Sequence, residues 1–138
     1  MDLSQYTSIE DAAAEELAKY TGDGLDLNGL TSLSDAQAEA LGTHKGGWLA
    51  LSGLTELSDA AAESLAKHQG WLELDGLTSL SDASAEALAK HDGALELLGL
   101  TSLSDAAAAA LAKYEGWLDV HHYKLPTSAS KILKGAGH

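Results

Sequence analysis

Three histidines, His44, His68 and His91, recur at intervals of 24 and 23 residues, and Tyr20 and Tyr114 hold the same place one interval before and after them. Imidazoles so spaced could ligate a metal, with one ion bridging two neighbours. Zinc, however, wants a third or fourth ligand at close range and outer groups that orient the rings. The local motif, Leu88-Ala89-Lys90-His91 followed by Gly93, supplies neither. A histidine at a helix C-terminus is also accounted for by the helix dipole, so no metal site is expected. His121, His122 and His138 are expected to bind nickel or zinc adventitiously and no more. Catalysis fares no better. The chain has no Ser-His-Asp order, no glycine-rich phosphate loop and no carboxylate pair beyond those the recurring pattern explains. Thiolate chemistry is excluded because there is no Cys. Neither an enzyme nor a cofactor is expected.

Binding chemistry is better represented. Asp26, Ala50, Glu73, Glu96 and Asp119 form one recurring column, Asn28, Ser52, Asp75, Leu98 and His121 a second, and Gly24, Trp48, Trp71, Ala94 and Trp117 a third. If these are outward strand positions, Glu73 and Glu96 stand on strands about 4.8 Å apart, where like charges cost some stability. An acidic patch of this kind attracts a cationic partner. The plainer alternative is that solvated acids keep an exposed sheet soluble and unpaired. The tryptophans divide the same way. Projecting from the sheet, they would anchor a peptide or a sugar; lying over helix ends, as a residue after a helix-stop glycine commonly does, they would cover the core, and core cover is the favoured expectation. The candidate partner-binding residues are Trp48, Trp71, Glu73, Asp75, Glu96 and Asp119.

The elements that position these residues come from a repeat of about 23 residues, a period that marks a solenoid. Leu25, Leu49, Leu72, Leu95 and Leu118 open successive copies, and the copies beginning at Leu72 and Leu95 share 17 of 23 positions. Leu72-Glu73-Leu74 alternates with period two and predicts a short strand with its leucines inward. A turn at Gly76-Leu77 follows, then an alanine-rich helix with Leu80 and Leu88 on one face. The column Asp11, Asp35, Asp59, Asp82, Asp105 does not vary, whereas the preceding column is Glu10, Ser34, Ser58, Ser81, Ser104, which favours Asp as the helix cap. Gly22, Gly46, Gly70, Gly93 and Gly116 are expected to stop the helices in the left-handed conformation. The whole is an α/β solenoid, with a parallel sheet of about six short strands on one face and helices on the other. One repeat domain spans residues 1–138: a divergent first turn over 1–24, four regular repeats over 25–117, and a capping strand and helix over 118–138. The last helix is expected from Pro126-Thr127-Ser128 through Lys134, ended by Gly135.

Composition limits the partners. The net charge is −13, and all eight basic residues are Lys. A chain without Arg lacks the bidentate fork suited to phosphate and base edges, and its field repels nucleic acid and anionic lipid. No nucleic acid and no membrane are expected as partners. No apolar run approaches the roughly 18 residues of a membrane span, and the acidic first 20 residues do not read as a signal peptide, so a soluble, by default cytoplasmic, chain is expected. Residues 121–138 carry Lys124, Lys131 and Lys134 and no acid, a basic tail on an acidic body.

The recurring Leu72, Leu74 and Leu77 of an LxLxxL run, with a helix closing each turn, resemble the leucine-rich repeat, especially its short alanine-rich bacterial variants. The resemblance covers roughly residues 1–120. That family's buried asparagine would fall where this chain has Leu30, Leu54, Leu77 and Leu100, and the threonine column Thr7, Thr31, Thr55, Thr78, Thr101 is expected to supply the missing hydrogen bonds. The resemblance implies protein or peptide binding on a concave strand face, without catalysis. The alternative is a structural or self-associating module whose ends or basic tail meet a second copy, giving a homo-oligomer. The near-identity of the copies also fits consensus design, which would leave no natural ligand.

Overall fold

The computed structural model describes residues 1–138 as alternating strands and helices. The strands are β1 (Gly24–Asp26), β2 (Trp48–Ala50), β3 (Gln69–Glu73), β4 (Asp92–Glu96) and β5 (Trp117–Asp119). The helices are α1 (Asp11–Ala18), α2 (Asp35–Gly42), α3 (Asp59–Leu65), α4 (Asp82–Leu88), α5 (Asp105–Ala112) and α6 (Thr127–Gly135). All strand pairings are parallel and in chain order, with Leu25, Leu49, Leu72, Leu95 and Leu118 in register across the sheet. Each helix packs on the next, from α1 to α6. The chain is an α/β solenoid. Of about six expected strands the first is reduced to a bridge between Asp2 and Asp26, held by Leu3 N donating to Asp26 O and Asp26 N to Met1 O, both 2.8 Å.

The core is a stack of leucine rows. Leu25, Leu27 and Leu30, then Leu49, Leu51 and Leu54, Leu72, Leu74 and Leu77, and Leu95, Leu97 and Leu100 are all buried, facing Leu41, Leu65, Leu88 and Leu111 from the helices. Alanines at Ala38, Ala62, Ala85 and Ala108 are buried as well, and their small side chains let successive helices lie close.

The helix starts differ from the expectation. Ser34, Ser58, Ser81 and Ser104 are the N-caps, each hydroxyl accepting from the backbone N–H three residues on at 3.0 to 3.1 Å. Asp occupies the first helical position and serves the neighbouring turn instead. Ser58 Oγ donates to Asp35 at 2.6 Å, Ser81 Oγ to Asp59 and Ser104 Oγ to Asp82 at 2.5 Å, and Ser128 Oγ to Asp105. A serine hydroxyl has one proton to give and lone pairs to accept with, so Ser58, Ser81 and Ser104 each cap their own helix while latching the one before, whereas Ser128, inside α6, makes only the latch. Invariance of Asp reflects the latch between turns.

The glycines also act elsewhere than expected. The helices end at C-caps Lys19, Thr43, Ala66, Ala89 and Lys113, before the glycines are reached. Only Gly70 and Gly93 of that column have positive φ, at +120° and +136°, and they lie inside β3 and β4. A Cβ on Gly93 would sit 2.1 Å from Gly70 O, so the residue is required by the closeness of adjacent turns. Gly135 belongs to α6, and Gly137, at φ +94°, follows that helix's cap.

The threonine column is exposed, and of its hydroxyls only that of Thr101 reaches a neighbouring turn, donating to Thr78 O at 3.4 Å. The turn backbone is bound instead by the residues two before each glycine-leucine turn's leucine. Ser52 N donates to Asn28 Oδ1 at 2.7 Å, Asp75 N to Ser52 Oγ at 3.2 Å, and Leu98 N to Asp75 Oδ1 at 2.9 Å. Buried or half-buried backbone donors need such partners.

Candidate functional site

Strand alternation turns Leu72 and Leu95 into the core and therefore sends Trp71, Glu73, Ala94 and Glu96 to the opposite face of the sheet, which no helix covers. The register places Trp48 beside Trp71, Trp71 beside Ala94, and Ala94 beside Trp117. One step along the strands, Glu73 lies beside Glu96, and Glu96 beside Asp119. The favoured expectation that the tryptophans cover the core is overturned: Trp71 is 47% exposed and Trp117 73%. Trp48 is half-buried, because Gly24 leaves room for it; a Cβ there would lie 2.3 Å from the Trp48 indole.

Between Trp71 and Trp117 the column holds only Ala94, and the missing indole leaves a slot of about 100 Å³. Its wall is almost wholly apolar, with Ala94 and Leu95 beneath and Glu96 and Asp119 at one end. Of the sequence-selected residues, Trp71, Glu96 and Asp119 line this slot, while Trp48 and Glu73 line a shallower depression next to it. Asp75 is half-buried and committed to the Leu98 backbone, so it holds the turn and shapes the field around Glu96. Sequence reasoning left out Trp117 and Ala94. The signal was in the tryptophan column itself, as a small residue flanked by large ones.

The carboxyls on this face repel one another. Glu96 is pushed up to about 8, first by a hydrogen bond shared with the Asp75 carboxyl, then by burial and the charges of Asp75, Glu73 and Asp119. Glu73 is raised by burial and by Asp75 and Asp26. A shared carboxyl–carboxyl hydrogen bond needs one proton, and here Glu96 keeps it.

Histidines form a separate, interior column. His44, His68 and His91 are each no more than 4% exposed, and with Tyr20 before them and Tyr114 after they make a file of near-parallel rings 5.5 to 6.5 Å apart between centroids. His91 Nε2 lies 2.9 Å from Gly70 O, and the Tyr114 hydroxyl donates to Gly93 O at 2.5 Å, so the rings pin the carbonyls of the preceding turn. His138 extends the file, its Nε2 3.0 Å from Tyr114 O. Nδ1 of His44 faces Nε2 of His68 at 3.4 Å, while His44 Nε2 and His68 Nδ1 have no partner. Burial depresses both rings, His68 to about 4 with the help of its neighbours His44 and His91, and His44 with a smaller push from the N-terminal charge. Burial and then Asp92 hold the Tyr114 phenol up at about 12. No group of three or more His, Cys, Asp or Glu side chains is placed to hold a metal ion, and no helix is long and apolar enough to cross a membrane.

No protein-family model matches the chain, and no curated protein matches it either. Its class is therefore carried by its architecture: an α/β solenoid with one sheet face bare of helices.

Proposed function

We propose that this chain is a noncatalytic repeat scaffold, of the leucine-rich-repeat kind, that binds a cationic protein or peptide segment across the bare sheet face. The observation that carries the reading is the pair of exposed indoles, Trp71 and Trp117, standing beside Glu73, Glu96 and Asp119. Two large exposed aromatics on either side of the Ala94 turn add nothing to the leucine core behind them, and aromatic anchors ringed by charge are how protein surfaces hold partners. Ionising these carboxyls works against folding: Glu73 is raised by burial and then by Asp75 and Asp26, and Glu96 by its hydrogen bond with Asp75, burial and the neighbouring charges. A cationic ligand relieves that repulsion, and the net charge of −13 steers it in.

The test is charge reversal. Glu73→Lys with Glu96→Lys is expected to abolish binding to basic peptides on an array while leaving the urea melt unchanged or slightly improved. Binding by the native chain should also slow steeply as salt rises. Partners indifferent to both the double change and salt would refute the reading and direct attention to the helices or the basic tail.

A further inference from the structure

We propose that the slot between Trp71 and Trp117 receives one lysine side chain of the bound segment, its methylene stem over Ala94 and its ammonium between Glu96 and Asp119. This rests on the sheet face being the binding surface, and it adds which group enters and where.

Size comes first. Sites for drug-sized ligands occupy roughly 300 to 1,000 Å³, whereas this slot offers about 100 Å³. It has room for one side chain. Its shape follows from the column: β3, β4 and β5 place Trp71, Ala94 and Trp117 in a row, so the opening is one indole wide and bounded by an indole on each side. The apolar walls demand a stem, and the two acidic residues that border one end, Glu96 and Asp119, favour a charged head there. A lysine has both, since its four-carbon chain buries along apolar surface while the head stays at the polar rim. The ammonium also gains from the faces of indoles close by. Arginine is less well served. Its planar fork prefers a single carboxylate engaged in bidentate fashion, and Glu96 and Asp119 come from different strands.

Charge around Glu96 supports the same occupant. The groups acting on it are Glu73 on β3, Asp75 just beyond β3 and Asp119 on β5; Lys124 places its Nζ 3.4 Å from Leu98 O, two residues further along the chain. Glu96 holds its proton up to about pH 8. A seated ammonium favours the anion, so binding expels that proton and tightens as pH rises from 6 to 9, a range in which lysine, at about 10.4, stays charged.

A glycine- and serine-rich host peptide carrying one central Lys, Arg or norleucine tests this, titrated against the full chain with the three indole N–H resonances as reporters. Lys is expected to bind about five- to tenfold tighter than norleucine, shifting the Trp71 and Trp117 signals more than that of Trp48, and to tighten with pH. Ala94→Trp fills the slot with the residue that three other turns accommodate, and it should erase the preference for Lys. Trp117→Ala, at a side chain 73% exposed and hence dispensable for folding, should do the same. Equal binding of norleucine, an equal or stronger response to Arg, or a preference that survives both substitutions would overturn the proposal. If the slot variants leave binding intact while charge reversal at Glu73 and Glu96 abolishes it, the surface stands and only the slot is lost. If basic peptides bind neither native nor variant chain, both fail.

Discussion

Acid should attack this fold through its histidine file, and His68 allows the effect to be sized. Its ring is fully buried between His44 and His91, with Nδ1 unpartnered, and it sits at about 4 against 6.5 for a free imidazole. The folded value is depressed, so the unfolded chain takes up the proton first. The stability this ring contributes is therefore complete above pH 6.5 and drains away as pH falls towards 4. A difference of about 2.5 pH units at 1.36 kcal/mol each gives about 3 kcal/mol lost by pH 4. Glu96 pulls the other way. Its carboxyl is raised in the fold, so its repulsion is relieved on going from pH 8 to pH 4.5, and the native chain shows only the balance. The decisive comparison is with His68→Tyr, because the same column carries Tyr114, whose hydroxyl donates to the preceding turn's glycine carbonyl. Urea melts at pH 7.5 and pH 4 should show this variant losing about 3 kcal/mol less than the native chain over that interval. Parallel pH profiles for the two chains would refute the assignment of a buried, neutral His68.

Other perturbations separate the roles of neighbouring residues. Ser81→Ala removes both the cap of α4 and the latch to Asp59, and should cost about 1 to 2 kcal/mol, against a smaller loss for Asp82→Ala, which breaks only the latch from Ser104; the opposite order in urea melts would return the capping role to Asp82. Leu74→Ala, at a fully buried side chain in a middle turn, should cost about 2 to 5 kcal/mol, and a loss below about 0.5 kcal/mol, the size of an ordinary surface change, would show that the row is misplaced. Gly93→Ala combines a φ of +136° with a Cβ 2.1 Å from Gly70 O, so it should destabilise by more than about 1 kcal/mol; a neutral melt would mean that the turns can separate there.

What the sequence discloses is set by which interactions repeat with the chain. Leucine rows are legible because burial demands the same residue type at every turn, and Leu25, Leu49, Leu72, Leu95 and Leu118 fall into register as their spacing predicts. The latch is harder to see. Its donor and acceptor lie 22 or 23 residues apart in the regular turns, so a local reading of Ser81-Asp82 finds two competing caps where the fold has one cap and one acceptor for the next turn. The glycines mislead for a similar reason. Their constraint is the carbonyl of the adjacent turn, a contact that reading along one repeat does not reveal.

The slot inverts that logic, because it exists only where the repeat fails. Had position 94 carried Trp like its neighbours in register, the column would be an unbroken aromatic band and the face would offer no concavity of side-chain size. A leucine row gains stability from uniformity, and a substitution within it costs about 2 to 5 kcal/mol. The outward columns bear no such penalty, so Ala94 and Leu98, both only partly buried, can depart from the pattern of their neighbours without disturbing the core behind them. Departures that folding does not require are the places where recognition can be written. On this sheet the departure at Ala94 coincides with the two most exposed indoles and with the carboxyl, Glu96, that is most strongly displaced from its ordinary ionisation.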